Sequence, residues 1–260
     1  MLTNLINRIG RRREPARPLA SIPPGQRAYA VGDVHGRLDL FLEIQRQIEH
    51  DDAASPRADT TVILLGDLVD RGPDSRGVLE AAREWQGRRK VRILMGNHEE
   101  MFVTAIEKEE ILRHFLRHGG KETVISYGMS PDEYRAAHLP EVQAWMQANV
   151  PQADLDFIAS FEDQIVLGDY LFVHAGILPD VPLEEQKSRD LRWIREPFLS
   201  HADPHGHVVV HGHSICETPE DRGNRIGIDT GAYDSGRLTA VRLEGTERSF
   251  LTAELAAVPA

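Results

Sequence analysis

Cysteine is almost absent from this chain: Cys216 is the single one, so no intramolecular disulfide can brace the fold. A lone thiol fits a reducing compartment. Long apolar runs are missing too. None approaches the roughly 20 residues of a membrane-spanning helix. The N-terminus shows neither the apolar stretch nor the small-residue cleavage site of a secretory signal, so the expected location is the cytoplasm. Excess positive charge is also lacking. With 30 Lys and Arg against 41 Asp and Glu, the formal net charge is -11, which argues against nucleic acid as a partner because that binding needs a basic face. The exception is MLTNLINRIGRRREPARP, where Arg8, Arg11, Arg12, Arg13 and Arg17 follow a short apolar stretch. Residues 1–25 read as a flexible basic tail, making at most weak contact with an anionic membrane surface. Internal repeats and long low-complexity tracts are absent, and the sequence carries no sign of an oligomeric state.

What is present suffices for a sizeable core. The chain has 260 residues, 41% of them hydrophobic, which suits one domain over residues 26–255 with a mostly helical insertion at about 100–160. The first half alternates strands with helices. RAYAVGD, TVILLGD and KVRILMGN read as strands. Leu38, Phe41, Leu42, Gln45 and Ile48 then mark one helical face, and Val78, Leu79, Ala82 and Trp85 a second. A third helix, HEEMFVTAIEKEEILRHFLRHGG, should end at Gly119 and Gly120. This alternation predicts an α/β (α+β) fold with a parallel or mixed sheet. Beyond residue 160 the strands QIVLG, YLFVHAG, HVVVHGH, NRIGIDTG, RLTAVRLEG and ERSFLTAEL follow one another closely, which predicts antiparallel pairing in a second sheet or an extension of the first.

Polar residues gather where each early strand ends: Asp33 and His35, then Asp67 and Asp70, then Asn97 and His98. Ligands of open α/β sheets bind at those carboxyl ends, so the three clusters should share one crevice. His174 and the pair His211 and His213 close later strands in the same way. Any one cluster reads equally well as a turn or a helix cap. Three in order, all rich in Asp, Asn and His, favour a metal site. Carboxylates, an amide carbonyl and imidazoles suit Mn²⁺, Fe or Zn²⁺. They also outnumber what one tetrahedral ion takes, which points to two ions roughly 3.5 to 4 Å apart sharing a bridging carboxylate. Strand geometry alone leaves His211 and His213 equivalent, because residues two apart face the same side.

The motifs GDVHG, GDLVDRG and GNHE, with the later VHAG and HGHS, closely resemble the signature of the phosphoprotein phosphatase group of calcineurin-like metallophosphoesterases. WIRE at 193–196 and GIDTGA at 227–232 are similar to late motifs of the small bacterial and phage serine/threonine phosphatases. The resemblance spans about residues 28–245 and implies two mixed sheets packed as a sandwich flanked by helices. It implies that Asp33 and His35 hold one metal, that Asp67 bridges, and that Asn97, His174 and His213 hold the other, Mn²⁺ being the expected ion. It further implies that Arg71 and Arg195, together with Asn97, bind the substrate phosphate. His98 would protonate the leaving oxygen, Asp70 would orient His98, and a metal-bound hydroxide would attack phosphorus in line.

Read alone, Asp70 and Arg71 make a surface ion pair of little worth, and Arg195 merely flanks a tryptophan. HADPHGH reads as a solvated loop rather than a second metal site. His114, His118 and His138 carry no motif and read as structural, and Cys216 as inert. The expected function is a serine/threonine protein phosphatase whose partners are phosphorylated proteins. The alternative is symmetrical hydrolysis of dinucleoside polyphosphates such as diadenosine tetraphosphate, with the insertion gripping the nucleotide. A non-catalytic phospho-ligand binding module ranks below both, since it should lack a ligand and none is missing.

Overall fold

The computed structural model describes residues 19–254. The arginines of the basic N-terminal segment lie outside the described residues. Residues just ahead of the domain boundary expected at residue 26 are tied to the fold. Ile22 is buried and donates its N–H to Gly245 O, and Ser21 donates its N–H to Asp169.

The first units run β1 (Gln26–Val31), α1 (Leu38–Ala54), β2 (Asp59–Leu64), α2 (Ser75–Arg88) and β3 (Val91–Ile93), with β1, β2 and β3 paired in parallel. On α1 the inward face is Leu40, Phe41, Ile44, Gln45 and Ile48, while Leu42 is 48% exposed. The expected stripe therefore sits slightly rotated, because Leu40 and Ile44 complete the i, i+4 row with Ile48. On α2 the face is as patterned, and Asp74 caps it by accepting the Gly77 N–H.

The helical stretch is α3 (Asn97–Glu107), α4 (Glu109–Phe115), α5 (Lys121–Ser126), α6 (Pro131–Ala136), α7 (Leu139–Asn149) and α8 (Gln152–Ala159). The single third helix expected from the sequence is broken at Lys108 and kinked at His118 and Gly119, whose backbone leaves helical geometry. These helices do not fold apart. Phe102, Leu112, Phe115, Val124 and Met146 join one core with Phe41, Val78 and Trp85, on the face formed by Tyr29, Val31, Val62 and Leu64.

The remainder comprises β4 (Gln164–Leu167), β5 (Tyr170–Val173), α9 (Ser188–Trp193), β6 (Val208–His211), β7 (Glu220–Asp221), β8 (Arg225–Gly227), α10 (Ala232–Ser235), β9 (Arg237–Glu244) and β10 (Glu247–Glu254). The antiparallel expectation is corrected for its centre. Strands β5, β6 and β8 pair in parallel, with β4 and β7 antiparallel at the edges. The connections explain this, since the segments after β5 and β6 are long enough to carry the chain back to the starting edge. Strands β9 and β10 form an antiparallel hairpin added to the first sheet beside β1.

Two five-stranded sheets result, ordered β10-β9-β1-β2-β3 and β4-β5-β6-β8-β7. Alternation along the strands fixes how they stack. Ala28, Ala30, Ile63 and Leu65 of the first sheet meet Ile165, Phe172, Val210 and Ile226 of the second in a core between the sheets. Their alternate neighbours face helices: Tyr29 and Val31 on one side, Leu171, Val173 and Val209 with Leu191 and Phe198 on the other. The fold is a mixed sandwich flanked by helices. No described helix is long and apolar enough to cross a membrane.

Candidate active site

The loops leaving β1, β2, β3, β5, β6 and β8 converge, and their backbones are forced to do so. His35, Asp67, Asp70, Arg71 and His213 all have positive φ, between 47 and 75°. Among the described non-glycine residues Asp180 alone shares that conformation. Each such residue costs about 1 kcal/mol or more, strain that collects where side chains must be aimed. The loops also press on the carboxylates. A Cβ at Gly212 would lie 2.0 Å from Asp33 Oδ1, and one at Gly96 would lie 2.2 Å from Asp67 Oδ1, so only glycine lets these strands end so closely.

Asp67 is the hub. Its Oδ2 lies 3.6 Å from His35 Nε2, 3.4 Å from His174 Nε2 and 3.9 Å from His98 Nε2, while its Oδ1 accepts the His98 N–H at 3.0 Å. His35 and His174 lie within 2.9 and 2.8 Å of Val69 O and Leu65 O through Nδ1. Donation there turns both Nε2 atoms toward Asp67, the orientation that metal-binding imidazoles take. Burial would lower the His174 pKa, but Asp67 raises it to about 10, so a proton sits on His174 Nε2 where a cation would bind. Asn97 Oδ1 is 3.0 Å from His174 Nε2. Asp33 accepts the His213 N–H, and the His213 ring stands 5.2 Å from that of His174. Two groups offer three potential ligand atoms mutually within 4.8 Å: His35, Asp67 and His98, and Asp67, His174 and His213. Asp67 belongs to both.

The donor set suits divalent cations on electrostatic grounds. Burial, then the neighbouring Asp229 carboxylate, pushes Asp33 well above the usual carboxylate range, and burial also raises Asp70 and Asp229. Asp67 goes the other way. Burial alone would raise it, but the charges of His174 and His98 hold it well below that range. Such a concentration of buried acid, with Arg71 the guanidinium among it, is costly unless cations share the site.

The second half of the centre gathers a His–Asp pair and a guanidinium. His98 Nδ1 lies 2.6 Å from Asp70 Oδ2. Burial pulls His98 down, yet Asp67 and Asp70 outweigh it and hold its pKa above the ordinary value. Thr123, from α5, donates to Asp70 Oδ1 at 2.6 Å and accepts the Asp70 N–H at 3.0 Å. Arg71 reaches His35 Nε2 at 2.9 Å and His98 Nε2 at 3.0 Å, with the Tyr233 ring 4.7 Å from its guanidinium. Arg195 is exposed just beyond α9, and its charge helps depress the His213 pKa, after burial and His174.

The structure thus brings together Asp33, His35, Asp67, Asp70, Arg71, Asn97, His98, His174 and His213, with Arg195 at the rim. It separates the two histidines that strand geometry left equivalent. His211, the last residue of β6, lies 3.2 Å from Arg225, and burial lowers its pKa to about 4. His213 stands beyond the strand with φ 61°, where alternation no longer applies. His201 and His205 stack at 4.8 Å, outside both ligand groups. Burial raises Cys216 to about 11, in line with an inert thiol.

Three contributors were not singled out in the sequence. Glu99 accepts N–H bonds from Asp67, Leu68, Val69 and Gly96, and burial, then Asp67, pushes its pKa to about 7. Its place inside GNHE was the available signal. Asp229 sits in GIDTGA, so it was visible but without a role. Thr123 carried no signal, because it comes from the insertion.

The chain belongs to the calcineurin-like phosphoesterase family, whose profile matches residues 27–236. It is 26% identical over 248 residues to the asymmetrical bis(5'-nucleosyl)-tetraphosphatase PrpE of Geobacillus sp. (strain WCH70), covering 88% of this chain and 95% of that protein. It is 28% identical over 226 residues to serine/threonine-protein phosphatase 1 of Salmonella typhimurium, covering 83% and 91%. A crystal structure assigned provisionally as a diadenosine tetraphosphatase shares the fold with TM-score 0.61 and 18% identity, covering 91% of this chain and 99% of that one.

Proposed function

We propose that this hydrolase uses two divalent metal ions, Mn²⁺ being the natural first choice for O and N donors, to cleave phosphoanhydrides of dinucleoside polyphosphates. The observation that carries the chemistry is Asp67 Oδ2 standing 3.6 and 3.4 Å from the Nε2 atoms of His35 and His174. Asp33, His35 and Asp67 would hold one ion, and Asp67, Asn97, His174 and His213 the other. Bound ions would polarise the phosphoryl oxygens and lower the pKa of the attacking water.

The chain's own groups supply the rest. Arg71, braced by Tyr233 and by the Gly119 carbonyl on its N–H, forks toward the equatorial oxygens, and Arg195 approaches from the rim. His98 delivers a proton to the departing oxygen, held and kept protonated by Asp70. Water adds to phosphorus as the bridging P–O bond breaks.

Relatives support the dinucleotide substrate: the PrpE match covers nearly all of both chains. This reverses the order expected from the sequence, which put phosphoproteins first. The phosphoserine/phosphothreonine reading keeps one specific support besides the Salmonella relative, namely the His98–Asp70 pair, which suits an alkoxide leaving group that needs a proton. The deciding experiment is kcat/KM of Mn²⁺-loaded enzyme on diadenosine tetraphosphate and on a phosphothreonine peptide, with Asp67→Asn as blank. The expected result is a preference for the dinucleotide by at least about tenfold, each tenfold being 1.4 kcal/mol in the transition state. A preference for the peptide of that size overturns the substrate assignment.

A further inference from the structure

The insertion bends where it meets the centre. At the kink between α4 and α5 the Gly119 carbonyl accepts the Arg71 N–H at 3.0 Å. Gly119 has φ +106°, and a Cβ there would lie 2.6 Å from Arg71 Cγ, so this turn rests directly on the proposed phosphate-binding arginine. The residue before it, His118, and the one a turn earlier, His114, are both exposed, with ring centroids 4.0 Å apart. Behind them stands Trp193 of α9, 6.4 Å from His114. Its indole N–H donates to Glu100 Oε2, and Arg192 also reaches Glu100, so the indole is fixed in place.

We propose that His114, His118 and Trp193 form a stacking platform for a nucleobase, placed so that a nucleotide whose phosphates sit on Arg71 lays its base on these rings. The proposal rests on the dinucleotide reading above. It revises the reading of His114 and His118 as structural. Both imidazoles are turned to solvent rather than into the core, whereas Phe115 between them is fully buried. Burial, then His118 and Arg117, lowers the His114 pKa, and His98 is among the charges acting on it, which sets the platform within electrostatic reach of the proposed acid. Aromatic rings stack on bases without sequence preference. Arg117, exposed on the same turn, adds a cation beside the platform.

The test compares dissociation constants of ATP and inorganic tripolyphosphate for the Mn²⁺-loaded protein by titration calorimetry, at fixed free Mn²⁺. Both carry a triphosphate and one carries a base. ATP should bind about tenfold tighter or more, the worth of one stacked base. His114→Ala/His118→Ala should erase the difference, while His114→Phe/His118→Phe should keep it. Because the ratio is read within each variant, a general weakening cancels. Equal affinities in the native protein, or a preference that survives the double alanine change, overturns the platform. Failure of the dinucleotide reading looks different: the ATP preference persists while diadenosine tetraphosphate is not turned over.

Discussion

At the scale of single residues, Asp67 and His98 divide the proposed work by where their free atoms point. Asp67 presents Oδ2 to three imidazoles, whereas His98 turns Nδ1 to Asp70 and Nε2 toward Arg71. His98→Ala should therefore leave metal content intact. It should lower kcat about 10²–10⁴-fold on substrates with poor leaving groups, the range for one general acid, and less than about tenfold on p-nitrophenyl phosphate. Equal losses on both would remove His98 from that role. Residues of this kind were legible because Asp, Asn and His recur at strand ends. Glu99 was less so, since its four N–H bonds come from two separate loops, and only the folded chain brings these together. His213 could not be told from His211 by alternation, because the strand stops between them.

At the scale of elements, β1 is tied into the sandwich by an ion pair as well as by its alternating side chains. Arg27, fully buried, donates to Glu244 at the end of β9, to Asp52 of α1 and to Pro56 O. Arg27 holds Glu244 below the usual carboxylate range. Burial would raise Asp52, but Thr60, Arg27 and Arg89 hold it below as well. Carboxylates depressed in the folded state add stability above their unfolded pKa of about 4 and lose it as the pH falls through the folded values. Arg27→Met should thus cost about 2 kcal/mol at pH 7, less than a fully buried pair because both partners are partly exposed. That cost should shrink below about pH 4, as urea titrations at the two pH values would show. A cost unchanged by pH would assign Arg27 to packing alone. Helices and early strands were legible from periodicity. The parallel pairing of β5, β6 and β8 was not, because local pattern cannot say which edge a long connection returns to.

At the scale of the whole molecule, each sheet holds a run of three parallel strands, β1-β2-β3 and β5-β6-β8, and each brings proposed ligands to a shared centre: Asp33, His35, Asp67 and Asn97 from the first, His174 and His213 from the second. The insertion then closes over one side through Thr123 and Gly119. On the proposed function, two metal ions meet at Asp67. The most direct test is metal content by plasma mass spectrometry after chelation, Mn²⁺ reloading and desalting, for the native protein and Asp67→Asn. The native protein should keep close to two equivalents, and the variant under one with activity lost. One equivalent in both, or full activity in the chelated native protein, would contradict the two-metal proposal.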